Sequence, residues 1–332
     1  MLLRRLSLAI ALFVPLSAGA QAAPRWVVGG EEDIATQLGR FHSVAALPRL
    51  FVVLEGDAPF IKVFDYSGRL VQSFGRSGSG PGEFRRPSSL TFDAQQERVL
   101  IVDPANARVT VYTVRDTLTS ARYLTLENTG VRSVCTLGAR IFGLAPGAQT
   151  FLRELREDAT TLSVSASFGE PRTNHPSGDH PLVRTRASGG PLHCAASGNR
   201  IVAGSEIMGE VHVFDAATRA QSTTLTPGFQ RLTISIENGS MSMAPPETGF
   251  DVMLDLVEWD GALHAVTERS KPAPGGMPVS LGFATAPIRA RGAEPLSPPR
   301  QWRPLAQTPG GALCAVSEPA PAIALFSGKA CP

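Results

Sequence analysis

The chain has 332 residues with 31 Lys+Arg against 29 Asp+Glu, and removing the leader described below takes out Arg4 and Arg5, leaving 29 against 29. A neutral chain with no basic stripe and no interleaved aromatics excludes nucleic acid as an expected partner. Its 43% hydrophobic residues, 32 Gly and 27 Pro describe many turns with ample core-forming side chains, which excludes a disordered polymer.

Arg4 and Arg5 precede an apolar run from Leu6 to Leu16, and Ala20-Gln21-Ala22 offers a small-x-small cleavage site. Residues 1–22 therefore read as a secretory signal peptide, and 23–332 as a single exported domain, periplasmic or extracellular. That apolar run is too short to span a bilayer, and no later run is long enough, so no membrane span is expected. Next comes Arg25-Trp26-Val27-Val28, which is either a strand that closes a ring of sheets or the start of a mobile tail.

From Ile61 to Tyr112 short alternating apolar runs are separated by Gly, Pro, Asp and Asn turns, and a similar run then begins again. That pattern marks a repeating β architecture. Phe64, Asp65, Gly68, Phe74, Gly75, Gly78, Gly80, Pro81, Gly82, Glu83, Phe84, Pro87, Val102 and Asp103 occupy its characteristic positions. On these residues the chain resembles the NHL-repeat class of six-bladed β-propellers, strongly from Leu47 to Asp103 and less afterwards. The resemblance implies an all-β ring of four-stranded antiparallel blades.

Six second strands can be followed along the chain, at Leu50–Val53, Val99–Val102, Arg140–Gly143, Arg200–Ala203, Ala262–Ala265 and Ala312–Ala315. Four of them follow Gly138-Ala139, Gly198-Asn199, Asp260-Gly261 and Gly310-Gly311, residues that tolerate positive φ in tight hairpins. Third strands follow at Ile61–Phe64, Val109–Tyr112, Val211–Phe214 and Ile323–Phe326. Six markers imply six blades, with seven as the competing reading. Only a short tail follows Phe326, so the last blade lacks an outer strand that the N-terminal segment could supply. Blade three has a long insertion after Phe168-Gly169-Glu170-Pro171. Blade five is irregular, with a Met-rich run from Met241 to Met243 and a Pro- and Gly-rich break from Lys271 to Met277.

Four cysteines in an exported chain suggest two disulfides. Cys135 and Cys194 hold similar positions in successive blades, and Cys314 and Cys331 both lie in the last, which favours those pairings over free buried thiols.

In propellers of this class the ligand face carries the loops joining blades and those between second and third strands. Candidate ligand-binding residues on those loops are Arg76, Arg85, Arg86, Asp103, Asn106, His175, His180, Arg184 and Arg186. Arg85, Arg86, Arg184 and Arg186 could receive an anion through bidentate contacts, against the plainer reading of ordinary surface charges. His175, Asp179 and His180 are the densest set of metal-type donors, but they lie in a segment with two Pro and a Gly that reads as a loop without rigid support. The Gly75–Gly82 stretch lacks Gly-Lys-Ser/Thr and a following helix pattern, so it reads as a connector rather than a phosphate loop. Asp251, Asp255 and Asp260 read as strand and turn residues.

Among propellers that this chain resembles, amidating lyases bind zinc through His in H-x-x-D-x-x-G-like repeats, and lactonases bind calcium at the channel. His42-Ser43-Val44-Ala45, His193-Cys194-Ala195-Ala196 and His264-Ala265-Val266-Thr267 lack the Asp, so no catalytic residue carries over. No G-x-S-x-G elbow is present. The expectation is a monomeric binding module for a protein, peptide or glycan, with no resident cofactor. The alternative is a metal-dependent lyase or lactonase-like hydrolase, with a divalent metal as its cofactor, at the central channel.

Overall fold

A computed structural model describes residues 23–29, 36–127, 129–195, 197–273, 278–289, 292–316 and 320–332; the segment 1–22, read as a signal peptide, lies outside them. The alternating apolar runs form six four-stranded antiparallel blades. Blade one spans Phe41–Phe74, blade two Ser89–Leu126, blade three Ser133–Phe168, blade four Leu192–Leu225 and blade five Phe250–Ala293. Blade six combines Arg303–Thr308, Gly311–Val316 and Ala322–Phe326 with the N-terminal strand Pro24–Gly29, which pairs antiparallel with Ala322–Phe326.

That last pairing closes the ring, because the first and last segments of the chain share one sheet, with the N-terminal strand as its outermost member. Val28 is buried in the closing blade, while Trp26 stacks on Phe51 of blade one at 5.5 Å and donates its indole N–H to the Tyr66 carbonyl at 2.9 Å. The core lies between blades rather than within one. Val52, Leu54 and Val63 meet Leu90, Val99 and Ile101 between blades one and two, and Phe142, Phe151 and Phe168 meet Ile201 and Phe214 between blades three and four.

The innermost strands are tied around the channel by polar contacts. Ser43 Oγ donates to the Leu90 carbonyl, Thr91 Oγ1 to that of Val134, and Arg303 pairs with Asp255 at 2.9 Å. Blades two and three are further fused through their outer strands, which pair in parallel at Thr125 with Thr161 and Leu126 with Leu162. Both expected disulfides are present. Cys135–Cys194 links the innermost strands of blades three and four, and Cys314–Cys331 fastens the C-terminal tail to blade six.

Two elements depart from the sequence reading. The blade-three insertion, read as an unsupported loop, contains a helix, α1 (Pro181–Ala187), with Pro181 at its start and His180 as the capping residue. The Met-rich run belongs to a separate hairpin, Thr233–Glu237 with Ser240–Ala244, inserted between blades four and five. Its turn is Asn238-Gly239, both at positive φ (49° and 76°), the geometry that a two-residue hairpin turn requires.

Candidate functional site

Antiparallel blades put the first-to-second and third-to-fourth turns at one end of the ring. The blade connectors and the second-to-third loops lie together at the other. All the candidate residues fall on this connector face, but on separate connectors.

Five of them stand on or beside the stretch that enters blade two. Glu83 organises that stretch: its carboxylate accepts the Gly80 N–H at 2.7 Å and pairs with Arg76 at 2.8 Å. Those contacts, the Gly80 N–H bond first, hold the Glu83 carboxyl below its ordinary range. Gly78 has φ 147°, which strains any side-chain-bearing residue, and a Cβ there would also displace Glu83 Oε2, 2.2 Å away. Asp103 is fully buried and accepts the Arg85 N–H at 2.9 Å, the Arg86 N–H at 3.1 Å and Asn106 Nδ2 at 2.8 Å. Asn106 also donates to the Gly78 carbonyl at 3.0 Å. Asp103 and Asn106 are thus committed to holding the connector, and the exposed guanidiniums it presents are Arg76, paired with Glu83, and Arg85 and Arg86.

The other four residues lie on the insertion that enters blade four. His175 Nδ1 accepts the Ser177 N–H at 3.1 Å, and His180 Nδ1 accepts the Leu182 N–H at 3.3 Å, so each imidazole is turned to its own backbone. Burial, with help from Arg231, lowers the His175 pKa. Among the described residues no group of three His, Cys, Asp or Glu side chains is placed to hold a metal. Arg184 and Arg186 occupy the last turn of α1, where cations suit the helix dipole.

Sequence reasoning missed how this insertion is anchored. Val183 and Ala187 of α1 bury themselves against Met208, and Ile234, Ile236 and Met241 of the inserted hairpin pack on the same cluster. Beneath it, buried Glu210 accepts the Thr173 hydroxyl and pairs with Arg231 at 2.7 Å, joining the insertion to the blade-four connector. Burial raises the Glu210 pKa against those contacts. His212, also buried, lies 3.3 Å from the Ala187 carbonyl and 3.0 Å from Thr223 Oγ1. The helix and hairpin form a cap on blade four, with Leu182 and Met243 exposed upon it. The Asn238-Gly239 dipeptide was the sequence signal that could have revealed half of this cap.

The opposite face holds a cleft of about 620 Å³ between blades two and three, bordered by Gln96, Arg122, Arg140, Glu154 and Glu157. Its charges are already matched to one another. Glu157 pairs with Arg98 at 2.7 Å and with Arg122, and Glu154 pairs with Arg140 and Arg219, each at 2.9 Å.

Residues 37–138 match the model of a family, DUF5128, described as a 6-bladed β-propeller. No curated protein matches the chain in sequence. Among solved structures, a DUF4221 family member from Bacteroides vulgatus superimposes with TM-score 0.56 at 9% identity, over 92% of this chain and 97% of that one. A Bacteroides fragilis protein described as exported gives TM-score 0.51 at 10% identity, over 88% and 83% of the two chains. The WD40 repeats of RRP9 give TM-score 0.53 at 11% identity, over 92% and 99%. At such identities the likeness concerns fold alone, and the fold is a six-bladed β-propeller.

Proposed function

We propose that the protein is an exported, monomeric binding module of NHL-repeat type that engages a partner through its connector face. The observation that carries this reading is the built cap on that face. Helix α1 and the Thr233–Ala244 hairpin are insertions into the blade repeat, anchored by Glu210, Arg231 and a shared apolar cluster, and they hold Leu182 and Met243 in solvent. Closing the ring needs neither insertion, and a rigid scaffold with elaborated loops suits recognition. The opposite cleft supports a binding role less well, because its guanidiniums and carboxylates satisfy each other. Export is supported by the two disulfides, which persist in oxidising compartments, and by the leader-like residues 1–22. A protein of similar fold from Bacteroides fragilis is also described as exported. The competing metal-dependent hydrolase or lyase needs at least three converging His, Asp, Glu or Asn donors, and among the described residues no three His, Cys, Asp or Glu side chains are grouped to hold a metal.

Site-specific photocrosslinking in the native host tests the reading. A photoreactive residue at Leu182 or Met243 is expected to yield discrete adducts, and one at Glu97 or Arg219 on the opposite face is not. Adducts confined to the opposite face would overturn it.

A further inference from the structure

Arginines gather where the connectors of blades one to three meet the channel on the connector face. Arg40 immediately precedes the innermost strand of blade one, Arg132 immediately precedes that of blade three, and Arg85 and Arg86 lie on the connector into blade two. All four are exposed, and among the described residues none of their guanidiniums has a carboxylate or hydrogen-bond partner. Their backbones are fixed and adjacent. Ser88 Oγ donates to the Arg132 carbonyl, Gly56 N–H donates to the Arg40 carbonyl at 2.7 Å, and Asp103 holds the Arg85 and Arg86 amides. Among the described residues, the exposed acidic residues of the same loops are Asp57 and Glu127; Glu83 is occupied by Arg76 and the Gly80 amide. Four guanidiniums unpaired among the described residues, on three consecutive blades, make a crescent of positive potential suited to several carboxylates in a row.

The cap on blade four adds the second feature. Its exposed large side chains, Leu182 and Met243, are aliphatic, and no aromatic side chain is among the large exposed hydrophobics of the described residues. Saccharides are commonly gripped on exposed aromatic faces, whereas aliphatic surface suits the side chains of a peptide.

We propose that this face binds an acidic peptide segment of a partner protein, its carboxylates on Arg40, Arg85, Arg86 and Arg132 and its aliphatic side chains against Leu182 and Met243. The proposal rests on the connector-face reading above and names its ligand class.

Fluorescence anisotropy tests it, with a labelled peptide of alternating Glu and Leu, its Gln-for-Glu counterpart, and polygalacturonate and inorganic phosphate as competitors. The Glu peptide is expected to bind with an affinity that falls as salt rises, and the Gln peptide is not. The Arg40→Ala/Arg132→Ala variant, at an unchanged Tm, is expected to lose about tenfold in affinity, while Arg115→Ala, in a turn on the opposite face, is not. Equal binding of the Gln peptide, an unchanged affinity in the Arg40/Arg132 variant, or no binding of the Glu peptide overturns the proposal. Arginine-dependent capture of polygalacturonate in place of the peptide also overturns it, yet leaves the connector-face reading standing; adducts confined to the opposite face in the crosslinking experiment overturn that reading itself.

Discussion

His212 gives the cap a pH dependence whose size follows from its surroundings. The ring is fully buried and meets Phe151 in a tilted arrangement, ring centroids 5.1 Å apart. A carbonyl only accepts, so Nε2–H donates to Ala187 at the end of α1, and Nδ1 accepts the Thr223 hydroxyl. Burial, then Arg172, lowers its pKa from 6.5 to about 4, against the opposing bond to Ala187. Between those two values the unfolded chain holds the extra proton, so stability rises with pH there. The contribution is complete above pH 6.5 and is lost as pH falls toward 4, and a separation of this size corresponds to about 3 kcal/mol. Urea denaturation at a series of pH values, for wild type and for His212→Gln, measures it. The wild-type advantage over the variant is expected to shrink by about 3 kcal/mol between pH 6.5 and 4, with hydrogen exchange in α1 accelerating first. Parallel curves for the two proteins across that window would refute the reasoning. The other histidines with lowered pKa, His42, His175 and His264, are present in both proteins and cancel.

Removing the inter-blade disulfide by Cys135→Ala/Cys194→Ala opens a loop closed across a sequence separation of 59. On the loop-entropy relation this costs about 4 kcal/mol, which differential scanning calorimetry should register as a fall in Tm of roughly 6 °C. Asp251 is fully buried, pairs with Arg269 at 2.6 Å and accepts the Gln230 N–H at 2.7 Å, so it pins the connector that leads to the inserted hairpin. Asp251→Ala should destabilise by about 3–5 kcal/mol in chemical denaturation, whereas an exposed pair such as Arg289–Glu294 should cost under about 1 kcal/mol when broken.

The ring was legible in the sequence because its signals are local and repeated. All six second-strand positions fall in strands, and Arg25–Val28 closes the last blade, since alternation of apolar residues with turn glycines specifies a hairpin without reference to the rest of the chain. The cap was less legible. Its helix is only seven residues, and Pro181 in its first turn, beside Pro176 and Gly178, reads as loop chemistry until Val183 and Ala187 find Met208. Asp103 and Asn106 drew attention as polar loop residues, but spacing along the chain cannot tell a carboxylate aimed at solvent from one satisfied by the amides of Arg85 and Arg86. Arg40 and Arg132 escaped notice because neither lies in a motif; only the ring brings them beside Arg85 and Arg86.

Whether the ring recognises a partner or performs metal-dependent chemistry is decided most directly by its thermal unfolding midpoint after EDTA treatment, with calcium, zinc and manganese then restored separately. A resident ion that binds only the folded state raises that midpoint by mass action. A binding module that works through its connector face gives the same midpoint in every condition. A clear drop on chelation, with recovery by one metal alone, would contradict the account and point to a metal site in the channel.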